Sequence, residues 1–344
     1  MLSERNEQIL RLIVGEYILM ASPVGSEAIA RRYGLGLSPA TIRNEMAHLE
    51  DDGYIIRRHA SAGGIPSDKG YRYYVESLVK EEVPLAEQRM ISHLFHQVER
   101  ELEEWRRLAA ALLASMVQCV AITTFPRATE TRFKHVELVA IQEFLAILIL
   151  LLRETKIRQQ LVAFDEAISQ EKLSSISRKL NTIFKGMTRS QILARSWGFS
   201  LIEEQVKETL VQIMAGEDEQ GYEEPYIQGM RHLLAQPEFA SSQKLLSLVE
   251  VLESKDAVRT ILRGMLAQEG VRVTIGAENR EDAMLECSVV TTQYGIPGEV
   301  SGALGVIGPT RMPYGRAISA VRYMGSLMSD LVAEIYSGEF PGGN

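Results

Sequence analysis

The sequence predicts an α+β multidomain chain that opens on a winged helix-turn-helix, and three observations carry the prediction. The chain has 344 residues, more than one hydrophobic core usually serves, so two or three domains are expected. Residues 1–80 read as three short helices, a hairpin and a further helix. Beyond them, strand-rich stretches enclose a long helical one, the pattern of an α+β domain that carries an insertion.

The opening elements follow in order. Ser3 precedes an amphipathic helix whose Ile9, Leu10, Ile13, Val14, Tyr17 and Ile18 share one stripe. Ser22-Pro23-Val24-Gly25 breaks it, Ser26 reads as the N-cap of a helix over 27–33, and Gly34 closes that helix. Ser38 caps a third helix, Pro39 takes its first position, and Gly53 ends it. The pattern then switches to strand at Tyr54-Ile55-Ile56-Arg57-Arg58, passes through a small, flexible stretch at 59–64, and resumes at Ile65 before Pro66. Ser67 caps a helix through Tyr71, Tyr74, Val75 and Leu78. Helix, helix, helix, hairpin is a winged-helix order.

The third helix carries the chemistry. At 100° per residue, Ile42, Met46 and Leu49 fall on one stripe and must face the core. The opposite face holds Ala40, Asn44, Ala47 and Asp51, flanked by Thr41, Arg43 and His48. Small residues let a helix approach base edges closely. Arg can bond guanine bidentately, Asn adenine, and an Ala methyl can touch a thymine methyl. Ser38 and the helix start are placed for phosphate. Around the hairpin, Arg57, Arg58, Lys69 and Arg72 cluster against Asp68 alone, a basic footprint for the duplex backbone. The candidate DNA-binding residues are therefore Ser38, Ala40, Thr41, Arg43, Asn44, Ala47, His48, Arg57, Arg58, Lys69 and Arg72. A solvated helix face is the competing interpretation of the same pattern.

Composition limits the alternatives. With 46% hydrophobic and 24% charged residues the chain is ordinary for a soluble globular protein. Its net charge of −8 does not itself announce nucleic acid, but whole-chain charge says little about one small module. Cys119 and Cys287 lie far apart without C-x-x-C spacing, which suits a reducing cytosol and argues against disulfides or a thiolate zinc site. Glu4 and Glu7 break any secretory leader pattern, so a cytoplasmic protein is expected. The longest apolar run, Phe144 to Leu152, is about half the ~20 residues a bilayer span needs and reads as a buried strand.

The rest of the chain is less explicit. Glu81-Glu82-Val83-Pro84 looks like a linker. Ile91, Phe95, Val98, Leu102, Trp105, Ala109, Leu112 and Met116 then form a heptad seam along one long helix. That seam fits either a dimer coiled coil or a helix lying on a sheet. Strands are expected at 119–125, 133–141, 144–153 and 157–164, helix over 169–240 with an acidic loop at 217–224, and helix over 243–266. Strands return at 271–275, 287–292 and 298–307, before a terminal helix over 316–335.

Catalytic constellations are weak. His93-x-x-His96 with Glu99 drifts round the helix and reads as solvated surface, so no metal is expected. Gly34-x-Gly36 and Gly302-x-x-Gly305-x-x-Gly308 lack the strand, loop and helix order of a nucleotide fingerprint. No nucleophile and base pair stands out. No cofactor, catalytic residue or enzymatic activity is expected.

The stretches P-V-G-S-E-A-I-A-R-R-Y-G-L-G-L-S-P-A-T-I-R-N-E-M-A-H-L-E and S-A-G-G-I-P-S-D-K-G-Y-R-Y-Y-V resemble the heat-inducible transcription repressor HrcA family, as does G-A-L-G-V-I-G-P-T-R-M-P-Y-G-R near the end. The resemblance implies a homodimeric repressor of chaperone operons that binds double-stranded DNA at an inverted-repeat operator, the CIRCE element, and is kept active by the GroE chaperonin. It also implies a winged-helix domain over 1–80, a GAF-like domain over 81–168 and 242–344, and an inserted dimerisation domain over 169–241. The family usually has Arg where this chain has Gly64, so one wing cation is expected to be missing, and restoring it is expected to tighten binding. The tail also departs from the family pattern at Pro313 and Gly315, and no contact is inferred there. The alternative function is a metabolite-responsive winged-helix regulator whose GAF-like domain binds a small effector, since such domains often hold ligands.

Overall fold

The computed structural model describes residues 2–59, 62–79, 81–98, 101–128, 131–152, 157–219, 225–239, 242–254, 258 and 270–337. It is a mixture of helices and several sheets, and it separates into two compact units. Unit 1 comprises Met1–Pro126, Tyr222–Ile296 and Gly302–Asn344, and unit 2 comprises Arg127–Gly221 and Pro297–Ser301.

Unit 1 begins with α1 (Glu4–Met20), α2 (Ser26–Tyr33), α3 (Pro39–Asp51), the two-stranded hairpin β1 (Ile55–Ile56) and β2 (Ile65–Pro66), and α4 (Asp68–Glu76). Capping sets these boundaries. The Ser3, Ser38 and Ser67 side chains accept from the N–H groups of Asn6, Thr41 and Gly70. Ser26 does not cap α2 as expected. The helix starts one residue earlier, Ser26 is buried in its first turn, and Gly25 is the N-cap, without a side-chain bond. Ile9, Leu10, Ile13, Val14, Ile29, Ile42, Met46, Leu49 and Ile55 form the core of this head. Ala60 and Ser61 at the expected hairpin tip lie outside the described residues.

The expected single helix over the heptad seam is two helices, α5 (Leu85–Gln97) and α6 (Leu102–Val117). The seam breaks because Val98 and Glu101 both adopt extended backbone. In α6 the buried apolar set is Trp105, Ala109, Ala110, Leu113, Ala114 and Val117, a face wider than a coiled-coil seam, and the helix packs on β3 (Val120–Thr123).

Unit 2 starts with β4 (Arg127–Ala128), which pairs with Val300–Ser301. Then come β5 (Phe133–Gln142), β6 (Leu145–Leu152) and β7 (Ile157–Ala163), an antiparallel sheet in that order. Helices α7 (Gln170–Phe184), α8 (Arg189–Leu193) and α9 (Leu201–Glu219) follow. Unit 2 thus joins strands expected in the first part of the larger domain to helices expected in the insertion at 169–241. The reason is packing: Val136, Leu138, Leu148, Leu150 and Val162 share one core with Leu173, Leu180, Val206 and Leu210 of the helices. Along the outer edge of β5, α7 side chains imitate a neighbouring strand. Asn181 bonds both backbone groups of Val136 (2.7 and 2.9 Å), Ser177 accepts from Leu138 N–H (3.1 Å), and Gln170 accepts from Ala140 N–H (2.7 Å). That closes the edge to further strands.

Among the described residues nothing fully covers the other face of this sheet. In β6, Ala146, Leu148, Leu150 and Leu152 are buried, while Leu145, Ile147, Ile149 and Leu151 are only half-buried. Around them Val139, Ile141, Ile157 and Leu161 are 39%, 51%, 56% and 58% exposed. The run expected to be wholly buried is thus half uncovered, because helices pack on one side only.

The chain then returns to unit 1 through β8 (Tyr226–Gln228), α10 (Met230–Leu234) and α11 (Ser242–Glu253). Gln220 to Glu224 of the expected acidic loop lie outside the described residues, as does the helix continuation beyond 254, Val258 apart. After β9 (Arg272–Ile275), β10 (Cys287–Ile296) and β11 (Val300–Pro309), the long α12 (Tyr314–Ser337) ends the described chain. The sheet runs β8-β3-β11-β10-β9. One face packs on α6 and α12. The other is filled by Leu233, Phe239, Leu248, Leu252, Val258 and Met284 against Val120, Ile122, Cys287, Val289, Ala303 and Ile307. Gly302, Gly305 and Gly308 lie in β11, where a Cβ would strike the Tyr294 ring, Thr291 and the Cys119 sulfur. They are packing glycines.

Candidate nucleic-acid interface

Helix α3 is held from behind and open in front. Ile42, Met46 and Leu49 are 0%, 1% and 0% exposed, and their burial contributes about 1.5–3 kcal/mol each. On the outward side Ala40, Arg43, Asn44 and His48 are exposed, with Thr41 and Ala47 half-exposed. Positions 40, 43, 44, 47 and 48 make one continuous stripe. Ser38 Oγ accepts from Thr41 N–H at 3.1 Å and lies 2.9 Å from Thr41 Oγ1, so hydroxyls cluster at the positive end of the helix.

Electrostatics favour the first turns of this stripe, whose far end carries the exposed Asp51. Two acidic residues of α3 are engaged with cations: Glu45 with Arg5 at 3.3 Å, and Glu50 with Arg57. Among the described residues the side chains of Arg43, Asn44 and Arg58 have no ion-pair or hydrogen-bond partner. Arg43 and Arg58 therefore stand as solvent-facing cations.

Two expected backbone contacts are placed differently. The Arg57 side chain is only 4% exposed; its Nε donates to Glu50 Oε2 at 2.9 Å, tying β1 to the end of α3. A buried, paired guanidinium is not presented to a phosphate. Arg72 is half-buried, pairs with Glu278, and donates to Val273 O at 2.8 Å, so it faces β9. Lys69 stays exposed, with Nζ 2.6 Å from Asp52 O and 4.2 Å from the centre of the Tyr54 ring. The eleven candidates thus divide: seven sit on or beside α3, Arg58 and Lys69 flank the hairpin, and Arg57 and Arg72 turn inward.

Gly64 is buried and pairs in antiparallel fashion with Val24, with N–O distances of 3.0 and 2.9 Å. A Cβ there would lie 3.0 Å from Ile55 Cδ1 and 3.1 Å from Met46 Cε. Any side chain at 64, arginine included, must displace the anchor of α3 by a few tenths of an ångström. Sequence reasoning missed this strand pair, though the adjacent Gly63 and Gly64 are its trace: a Cβ at Gly63 would come 2.7 Å from the Pro23 backbone.

Outside the head, His93 lies on α5 with its ring nitrogen 3.0 Å from Gln97 Nε2. Glu99 lies outside the described residues. Burial pushes the Cys119 and Cys287 thiols up to about 12. Sequence reasoning also assigned no role to the tail motif. Arg311 Nη1 donates to Ile18 O at 3.3 Å and Nη2 to Gln236 Oε1 at 2.7 Å, while Tyr314 packs 5.9 Å from the Tyr71 ring. The motif thus joins the head to the sheet.

The family model for the HrcA protein C-terminal domain matches residues 103–318. A heat-inducible transcription repressor HrcA from Dehalococcoides mccartyi is 48% identical over 336 residues, covering 98% of this chain and 97% of that one. The protein of the same name from Roseiflexus castenholzii is 41% identical, with 98% and 96% covered. Among solved structures, a hypothetical protein crystallised at 2.2 Å resolution matches with a TM-score of 0.59 and 25% identity, over 97% of this chain and 98% of that one.

Proposed function

The chain belongs to the HrcA family of heat-inducible transcription repressors, and from that premise we propose how this particular chain represses. It is a DNA-binding transcriptional repressor of heat-shock genes, from a family without enzymatic activity. In our proposal residues 1–80 act as a winged helix whose α3 enters the major groove of an inverted-repeat CIRCE operator. Arg43 and Asn44 read base edges, Ala40, Ala47 and His48 line the approach, and Ser38 and Thr41 meet phosphate at the helix start. Arg58 and Lys69 flank the duplex backbone. Arg57 and Arg72 serve the fold of the head instead.

One observation carries this proposal: the side chains at positions 40, 43, 44, 47 and 48 are exposed or half-exposed and have no partner among the described residues, while the opposite stripe is fully buried. A helix so anchored can enter a groove without unfolding anything.

We assign the sheet of unit 1 to a GAF-like domain and unit 2 to the inserted dimerisation domain. The half-uncovered face of β5, β6 and β7 supports the second assignment, because an apolar sheet face left in water is the usual mark of a partner surface. A symmetric homodimer carries two heads, which suits two half-sites. The same face makes an unpaired protomer sticky, which supports dependence on the GroE chaperonin for the active fraction in the cytoplasm. Heat then lowers that fraction, and operator occupancy falls with it. The metabolite-responsive alternative has less behind it, since described side chains pack both faces of the unit 1 sheet.

The test is a mobility-shift titration of the purified dimer on a CIRCE duplex and on the same duplex with both arms scrambled. Tighter retention of the intact repeat is expected. Equal retention of both would overturn the operator assignment. Refolding with and without chaperonin tests the second part, and equal yields of binding-competent protein would remove GroE from the account.

A further inference from the structure

The head is tied to the sheet of unit 1 at three separate places. At the start of α4 the Asp68 carboxylate accepts the Ala277 N–H at 2.8 Å, and it fills the space beside Gly276 so closely that any Cβ there would collide with it. Gly276 also has a φ of +48°, which favours glycine. One turn later Arg72 Nε donates to Glu278 Oε1 at 2.8 Å and Nη2 donates to Val273 O at 2.8 Å. Glu278 is itself held, accepting from Ile275 N–H at 2.9 Å.

The second place is apolar. Tyr71, 2% exposed, lies against Tyr314, whose hydroxyl is fixed by Ser288 Oγ at 2.7 Å and Thr310 O at 2.6 Å. The third is at the end of α1, where Arg311 holds Ile18 O while also engaging Gln236 and Glu238.

Contacts on two different helices of the head, α4 and the end of α1, resist its rotation against the sheet. We propose that Asp68, Tyr71 and Arg72, with Gly276, Glu278, Arg311 and Tyr314, form a clasp that fixes the orientation of the DNA-reading head on the sheet of unit 1 and so narrows the arm spacings that two heads can span. These are positioning residues, because the contacts they make are between the head and the body of unit 1. The inference rests on the reading of the chain as a two-headed operator binder. Binding of a second head is intramolecular, and its effective concentration is highest when the head already points at its half-site. A loosened head keeps its own contacts but loses that advantage.

Arg72→Glu, Glu278→Arg and the double swap R72E/E278R, with the milder Glu278→Gln, test the clasp by fluorescence anisotropy in the full chain. The probes are a CIRCE duplex, the same duplex with one arm scrambled, and one lengthened by roughly half a helical turn between the arms. Each single variant is expected to lose about tenfold on the intact repeat, to bind the one-arm duplex like wild type, and to tolerate the longer spacer better. The double swap keeps the ion pair but not the bonds to Val273 O and Ile275 N–H, and is expected to recover part of the loss.

Equal loss on the one-arm duplex without rescue would make Arg72 a DNA contact and overturn the clasp. A gain on the intact repeat would make the contact inhibitory and overturn it as well. If a charge reversal unfolds the head, Glu278→Gln decides alone, and an unchanged spacer preference would refute the proposal. If wild type itself binds intact and one-arm duplexes equally, the two-headed reading fails instead, and the clasp falls with it.

Discussion

Arg57 gives the sharpest contrast between a charge counted in the sequence and a charge placed in the fold. A phosphate-contacting Arg57 adds about 0.9 to the logarithmic salt slope for each head, so its loss from a dimer should flatten the slope by roughly 1.8. The structure predicts something else. The Arg57 side chain is 4% exposed and its partner Glu50 is 35% exposed. Breaking a fully buried pair costs about 3–5 kcal/mol because one charge is stranded. Water can reach Glu50, which reduces the cost here to about 1–3 kcal/mol. For a unit of 150–250 residues each kcal/mol moves the melting midpoint by roughly 2–4 °C. Arg57→Ala and Glu50→Gln are therefore both expected to lower the midpoint by several degrees. The salt slope of operator binding, measured well below the transition, is expected to stay at the wild-type value. A flattened slope with an unchanged midpoint for Arg57→Ala would refute the reasoning and return Arg57 to the phosphate backbone.

Other perturbations follow from the same geometry. Gly64→Ala is expected to destabilise by about 1 kcal/mol or more through overpacking against Ile55 and Met46, and Gly64→Arg to bind DNA more tightly than Gly64→Ala but not more tightly than wild type. An alanine variant that melts like wild type would contradict it. Ile147 and Leu161 are cross-strand partners on the uncovered face. Ile147→Lys and Leu161→Lys are expected to give folded monomers in analytical ultracentrifugation, with operator affinity reduced to the one-arm level; persistent dimers would place the interface elsewhere. The Cys119 and Cys287 thiols, ordinarily near 9.0, are raised by burial to about 12. Their contribution to stability is whole below pH 9 and is lost as pH rises toward 12, because only the unfolded chain ionises them in that window. Iodoacetamide at pH 8 should label neither thiol until the protein melts, and rapid labelling of native protein at 25 °C would show that the burial is wrong.

Much of the head was legible because its signals are local. Caps at Ser3, Ser38 and Ser67, the proline at 39 and the 100° spacing of Ile42, Met46 and Leu49 all act within one or two turns. The same periodicity located the exposed stripe of α3. What escaped was non-local. Nothing near Arg72 announces Glu278, 206 residues away, and nothing near Ile18 announces Arg311. Arg57 was misplaced because charge counting does not record which way a strand turns its side chains. The run over 144–152 was apolar on both faces, so composition could not reveal that only one face is covered. The seam over 91–116 kept its spacing through a backbone break at Val98 and Glu101, which spacing alone does not register. Strands at 133–163 look alike whichever core they join, and only their packing against the helices at 170–219 decides it.

The central claim is that the outer stripe of α3 reads bases, and specificity profiling of Arg43→Ala tests it most directly. Wild type and variant are titrated against CIRCE duplexes carrying each symmetric base-pair substitution in turn, at fixed salt. Arg43 is exposed and unpaired among the described residues, so the fold should not change. The account predicts a loss of about 1–3 kcal/mol per head on the intact repeat, with discrimination abolished at one symmetric position and kept at the others. A loss of equal size on every duplex, scrambled DNA included, would mean that α3 only holds the backbone, and the account would be contradicted.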